Sequence, residues 1–160
     1  FSNATLHWVK DHVSVLHGIS HSLQPGGKVL LQMGGRGNAA DIVRVLEKMT
    51  TSGQWCAYFA DFAFPYSFYA PEQYQHWLEH VGLIPIRMEL IPKDMTHSEV
   101  AGLAGWIRTT WLPYTQRVPE PMREHFVTEL VERYLEEHPV TEDGLTHVQM
   151  MRLEVEAEKH

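Results

Sequence analysis

Cysteine is almost absent from this chain of 160 residues: Cys56 is the only one. An internal disulfide framework and a multi-cysteine zinc site are therefore excluded. Positive charge is scarce too. Lys and Arg number 13 against 20 Asp and Glu, a formal net charge of −7. A surface of that sign repels phosphates, so nucleic acid is not an expected partner. No apolar run approaches the roughly 18 residues that cross a bilayer, so no membrane partner is expected either. Internal repeats, low-complexity tracts and a signal-peptide pattern are missing, and with so little cysteine the reducing cytoplasm is the expected location. Phe1 stands in place of Met, and Phe1-Ser2-Asn3-Ala4 reads as the middle of an element, which points to a piece of something longer. What is present is a globular composition, 44% hydrophobic and 21% charged, at a length suited to one packed domain.

Hydrophobic spacing predicts an α/β chain. Leu6, Val9, Val13, Leu16 and Leu23 share one helical face, so a helix is expected from Ala4 or Leu6 to about Leu23. Asp11 offers an alternative, capping a helix of its own behind a separate short turn. Pro25-Gly26-Gly27 stops the helix. Lys28–Met33 carries the continuous run Val29-Leu30-Leu31 and reads as a strand buried on both faces. A loop, Gly34–Asn38, leads into a helix over Ala39–Thr50 with Ile42, Val45, Leu46 and Met49 aligned. Thr51–Ala70 is aromatic and irregular, and loops of that length are usually functional. Pro71–Val81 reads as a helix closed by Gly82. Leu83–Ile91 alternates, with Ile84, Ile86, Met88 and Leu90 on one side, and so reads as a strand. Helices are expected from Ser98 to near Pro113 and from Pro119 or Glu120 to Glu137, then a turn at Glu142-Asp143-Gly144 and a last strand over Val148–Lys159. Three strands do not give Val29–Leu31 neighbours on both sides, so a missing strand or a partner is expected.

Several motifs invite chemistry. Gly35-Arg36-Gly37-Asn38-Ala39-Ala40 matches the dinucleotide pattern G-x-G-x-x-A between a strand and a helix. No acidic residue closes a second strand at the right distance, so a tight turn beside a cleft is the better reading. His17 and His21 have two-ligand spacing, but no third ligand joins them and they read as solvated. Cys56 reads as a small buried hydrophobe. Trp106–Tyr114 packs Trp106, Trp111, Tyr114 and Arg108 together. Aromatic rings build pocket walls and an Arg fork binds carboxylates, although the same pattern suits an amphipathic helix.

Three stretches together resemble a known family. Phe1-Ser2-Asn3-Ala4-Thr5-Leu6-His7-Trp8-Val9 resembles the segment after the fourth strand of class I S-adenosylmethionine-dependent methyltransferases, in the branch of trans-aconitate methyltransferase. Leu23-Gln24-Pro25-Gly26-Gly27-Lys28-Val29-Leu30-Leu31 is similar to the turn into that fold's fifth strand. Trp106–Tyr114 and Val148–Lys159 resemble the branch's lid and final strand. The resemblance implies the C-terminal half of a Rossmann-like fold over residues 1–160, supplying strands five to seven, with a helical lid inserted over Ser98–Pro139. The glycine-rich cofactor loop and the ribose-holding acid would lie before Phe1.

By the same resemblance, Ser2, Asn3 and Ala4 would lie against the methionine part of S-adenosylmethionine. His7 and Trp8 would face the methyl-transfer site, and Trp106, Arg108 and Tyr114 would line the substrate side. Arg36 is added on physical grounds as an anion contact. The implied reaction is methyl transfer to a small carboxylic acid, which needs alignment and dryness but no general base. The chain by itself would be inactive and would not bind the cofactor. Two other readings remain: a non-catalytic module that forms a homodimer over its open sheet edge, and a small-molecule binder using Trp55–Tyr69 as its pocket.

Overall fold

The computed structural model describes residues 1–160. Four strands, β1 (Ser2–Asn3), β2 (Lys28–Gly34), β3 (Leu83–Ser98) and β4 (Leu145–Lys159), form one sheet in the order β1-β2-β4-β3. β1 runs parallel to β2, pairing Ser2 with Leu31 and Asn3 with Gln32. β4 runs antiparallel to β2, from Lys28 opposite Glu158 to Gly34 opposite Arg152. Val29, Leu31 and Met33 are buried while Leu30 and Gln32 are half-buried, so β2 is covered on one face and not, as expected, on both; within the run Val29-Leu30-Leu31 only Leu31 is paired with strands on both sides. One of them, β1, is too short for any periodicity to reveal it.

The chain divides into two compact units that interleave in sequence. The first comprises Phe1–Asn38, Pro65–Lys93 and Met150–His160; the second comprises Ala39–Phe64 and Asp94–Gln149. β3 and β4 contribute residues to both. In the first unit, α1 (His12–Ser22) and α3 (Pro71–His80) cover one face of the sheet. Val29, Leu31 and Met33 of β2 and Leu153, Val155 and Ala157 of β4 meet Leu16, Tyr74 and Leu78 there. Burying one such Leu contributes roughly 1.5–3 kcal/mol. The opposite face is charged. Glu154 is buried but holds Arg87 at 2.9 Å, Arg152 at 2.6 Å and Gln32 at 2.9 Å. Burial raises its pKa, yet Arg87, Arg152 and Lys93 outweigh that and hold it below the ordinary value.

In the second unit, α2 (Ala40–Thr51), α4 (Glu99–Thr110), α5 (Leu112–Thr115) and α6 (Arg123–Glu137) surround Trp55, Phe59 and Phe126. α2 has Ile42, Val45, Leu46 and Met49 buried, the face its spacing predicts. No helix is long and apolar enough to cross a membrane.

Several expectations need correction. The predicted first helix is broken: a 3-10 turn occupies Leu6–Trp8, Val9 is extended, and α1 starts at His12. Asp11 decides this, because its carboxylate accepts from Ser14 N at 3.0 Å and from Ser14 Oγ at 2.6 Å. β3 and β4 outrun their predicted limits because they lengthen one another; Thr146 Oγ1 still reaches the His97 carbonyl. Met88 and Leu90 pack on the core, but Ile84 and Ile86 remain 42% and 48% exposed on the edge strand. Cys56 is exposed, not buried; it sits on the outer side of a 3-10 turn, Gly53–Tyr58, with its Sγ donating to the Gly53 carbonyl. The aromatic stretch is no single pocket either. Trp55 and Phe59 are core of the second unit, whereas Tyr66, Phe68 and Tyr69 belong to the first.

Candidate functional site

β1 and β2 are parallel and end side by side, and the crevice beyond the carboxyl ends of parallel strands is where open α/β sheets take ligands. Ala4 leaves β1 with its N–H donated to the Gln32 carbonyl at 2.9 Å and with φ at +53°. That left-handed conformation costs a residue with a Cβ about 1 kcal/mol or more. It turns the chain sharply into the 3-10 turn, leaving Asn3 and Ala4 exposed and Ser2 half-buried.

The turn presents His7 and Trp8. The ring of His7 reaches across to β2, where Gly34 N donates to Nδ1 at 3.2 Å. Nδ1 is therefore an acceptor, and the ring is neutral with its proton on Nε2. Burial lowers the His7 pKa, and nearby His12 lowers it further. The His7 carbonyl accepts from Ser67 N at 2.8 Å, which straps the loop Tyr66-Ser67-Phe68 to the turn. Tyr66 and Phe68 stack at 5.5 Å between ring centroids, and Trp8 meets Tyr66 edge-on at 4.9 Å. Tyr66 is buried, His7 and Phe68 are half-buried, and Trp8 is 44% exposed. The result is an aromatic wall with one open side.

The loop after β2 spends its amides internally. Gly35 N bonds the Met151 carbonyl, Arg36 N the Tyr69 carbonyl and Asn38 N the Gly35 carbonyl, all within 2.9 Å. Those amides cannot also cradle a phosphate, which agrees with reading the glycine pattern as a tight turn. Gly35 is required by packing: a Cβ there would lie 2.5 Å from Leu90 Cδ2 and 2.8 Å from Leu153 Cβ. Arg36 turns its guanidinium to Glu72 at 2.7 Å, an exposed pair.

The remaining candidates lie in the second unit. Trp106 is half-buried against His97 and Trp111. Tyr114 is buried between Phe62 and Trp111, and burial pushes its hydroxyl up to about 12. Arg108 is exposed and grips Glu124 through both Nε and Nη2, at 2.9 Å and 2.7 Å. That hydrogen-bonded pair raises the Arg108 pKa and lowers that of Glu124. The candidates thus form two groups, Ser2–Ala4, His7, Trp8 and Arg36 in one unit and Trp106, Arg108 and Tyr114 in the other. Sequence reasoning missed Tyr66, Phe68 and His12 as members of the first group. The aromatic density of Thr51–Ala70 was a signal, but nothing in spacing pairs Ser67 with His7. His12 was hidden inside a helix predicted to run through it.

The chain has informative relatives. No family model matches it. It is 25% identical to a trans-aconitate 2-methyltransferase of Rhizobium etli, over 99% of this chain and 62% of that protein. A trans-aconitate 2-methyltransferase of Delftia acidovorans is 26% identical, again over 99% and 62%. Among solved structures, a loganic acid methyltransferase superposes with a TM-score of 0.63 at 13% identity, covering 98% of this chain and 60% of that one. A protein of Bacillus halodurans C-125 assigned as a methyltransferase gives 0.55 at 12% identity, covering 99% and 62%. These likenesses in structure establish the fold. The chain spans 62% of the length of the curated relatives it matches first.

Proposed function

We propose, for a chain that has the class I S-adenosylmethionine-dependent methyltransferase fold and trans-aconitate 2-methyltransferases among its relatives, that it serves methyl transfer to a carboxylate of a small organic acid. The observation that carries the reading is similarity to those enzymes along 99% of the chain. Because the relatives are longer, the activity is proposed for a protein that also supplies the rest of their length, and the chain by itself is proposed to be inactive.

The first unit suits such a cofactor. When bound, S-adenosylmethionine supplies an electrophilic methyl group on a cationic sulfonium. The exposed turn Ser2-Asn3-Ala4 offers backbone at the strand ends for its methionine part. A neutral His7 does not repel the cation, and the exposed ring of Trp8 can attract it. An acceptor carboxylate is already ionised at neutral pH and needs no base. What the side chains do is orient it and exclude water. Arg36 in the first unit and, as a separate proposal, Arg108 in the second are candidate carboxylate ligands, the one exchanging Glu72 and the other Glu124 for a substrate carboxylate. Within the second unit, half-buried Trp106 is the aromatic side chain proposed to meet an acceptor, and buried Tyr114 is proposed to support it through Trp111.

Calorimetric titration of S-adenosylhomocysteine tests this. The expected result is binding to a form of the protein that covers the relatives' full length and none to the chain of 160 residues. Absence of binding in both overturns the reading. A non-catalytic reading, in which two copies pair through β3, is favoured by the exposed Ile84 and Ile86. Against it, Pro85 deprives that edge of a donor. A dimer in sedimentation combined with no cofactor binding is its signature.

A further inference from the structure

His12 is a buried, titratable side chain for which methyl transfer has no direct use. It is the first residue of α1, a helix whose start is held by the Asp11 cap. Its Nε2 lies 2.8 Å from the Leu6 carbonyl and 3.1 Å from the Val9 carbonyl. Carbonyls only accept, so Nε2 carries a proton. Its Nδ1 lies 2.6 Å from the Tyr74 hydroxyl of α3. With the ring neutral, that hydroxyl donates to Nδ1. The two carbonyls bracket His7 and Trp8 and no others. Tyr69, Tyr74 and Trp77 pack around the ring, at 4.7, 5.7 and 6.0 Å. Burial disfavours the imidazolium, more than the two carbonyls favour it, so the neutral tautomer is held.

We propose that His12 is a positioning residue: gripped by Tyr74, its Nε2–H ties both ends of the Leu6–Val9 turn and so holds His7 against Gly34 and Trp8 at the open side of the aromatic wall. A 3-10 turn of three residues has little stability of its own, with only Trp8 N to the Thr5 carbonyl and Val9 N to the Leu6 carbonyl inside it. Ordering it needs a rigid neighbour, and the helix N-terminus is that neighbour. The inference rests on His7 and Trp8 facing the methyl-transfer site, but the positioning itself is measurable without a cofactor.

The test is NMR on the chain, reading exchange of the Gly34 amide and titration of the His7 ring in three variants. His12→Phe keeps the aromatic packing and removes both bonds. It should speed Gly34 exchange about tenfold, the loss of roughly one hydrogen bond, and bring the His7 pKa up toward 6.5. Amides of α2, such as that of Leu46, should be unchanged. His12→Gln places an amide N–H where Nε2–H was and should restore Gly34 exchange, while the His7 ring regains only the part of its shift that comes from burial. Tyr74→Phe leaves the carbonyl bonds and should give a smaller effect of the same sign. If His12→Phe does not fold, His12→Asn, too short to reach the carbonyls, takes its place. Unchanged Gly34 exchange in the Phe or Asn variant overturns the proposal whatever the His7 ring does, and so does equal acceleration of every amide. Cofactor-product affinity in the longer protein is a separate reading. If S-adenosylhomocysteine binds no form, the methyltransferase assignment fails while the NMR result still decides what His12 does.

Discussion

Each unit gathers a cluster of aromatic rings, and the two clusters do different work. In the second unit Trp55, Phe59 and Phe126 are fully enclosed, with ring centroids 5.1 to 5.9 Å apart. The only polar handle of Trp55, Nε1, donates to Glu129 at 2.7 Å. In the first unit His7, Trp8, Tyr66 and Phe68 stand at comparable separations, but Trp8 is exposed and a histidine is bound into the wall. Ring density alone does not distinguish a core from a site. The distinction lies in whether the cluster closes and whether its polar atoms are spent on the backbone that positions it.

Substitution should separate the clusters most strongly. Trp55→Ala opens a cavity and removes one donor from Glu129, and should cost about 3–5 kcal/mol in urea unfolding. Trp8→Ala should stay within about 0.5 kcal/mol. Equal losses would mean that the first cluster is core after all.

Acidity should reach both units through their buried and half-buried histidines before it reaches their carboxylates. His7 and His12 have lowered pKa values in the folded state, chiefly through burial. The unfolded chain therefore binds more protons near the ordinary value of 6.5. The stability they confer is complete above that value and is lost as pH falls below it, until the folded pKa values are passed. In the second unit His97 is the counterpart, its pKa likewise lowered by burial, and Glu129 adds a carboxylate that titrates later. Burial raises its pKa, but Trp55, Gln54 and Arg133 bring it below 4.5, so its contribution survives to lower pH. Melting temperature followed from neutral pH downward should drop first through the histidine window, and His12→Gln should flatten that part of the slope.

Backbone strain offers a finer contrast. Ala4 and Ala39 have φ values of +53° and +49°, one at the candidate site and one buried in front of α2. Glycine relieves about 1 kcal/mol at either position, less its own entropy cost in the unfolded chain. Both Ala→Gly variants should melt at or above the parent temperature. Only Ala4→Gly should also weaken S-adenosylhomocysteine binding in the longer protein.

The smallest effect on stability concerns the arginines. Glu124→Gln frees Arg108 and Glu72→Gln frees Arg36, both from exposed pairs that contribute little to folding. If either guanidinium is a carboxylate ligand, its freed variant of the longer protein should bind a small carboxylic acid more tightly in calorimetry. No change in affinity removes that arginine from the acceptor site.

Much of the fold was legible in the residues. α3 begins at its predicted Pro71, and α2 and β2 lie within a residue of prediction. These elements carry strong periodicity between Pro or Gly stops, and their local preference agrees with their packing. α6 starts later than Pro119 because Glu120–Met122 take a 3-10 turn first. Ser2–Ala4, His7 and Trp8 are candidates by resemblance and not by pattern. Tyr66 and Phe68 come to His7 through the Ser67 backbone bond, a contact across 60 residues that no local rule encodes.

By itself, then, the sequence determined α2, α3 and the core-facing side of β2, because each follows from neighbours a few positions apart. Tertiary structure alone decided that two residues at the start of the chain become a strand and that the first helix begins at His12. It also decided that Ile84 stays exposed while Met88 is covered, and which of two similar aromatic clusters stays open. Those outcomes depend on which surface meets which, and on hydrogen bonds between segments far apart along the chain.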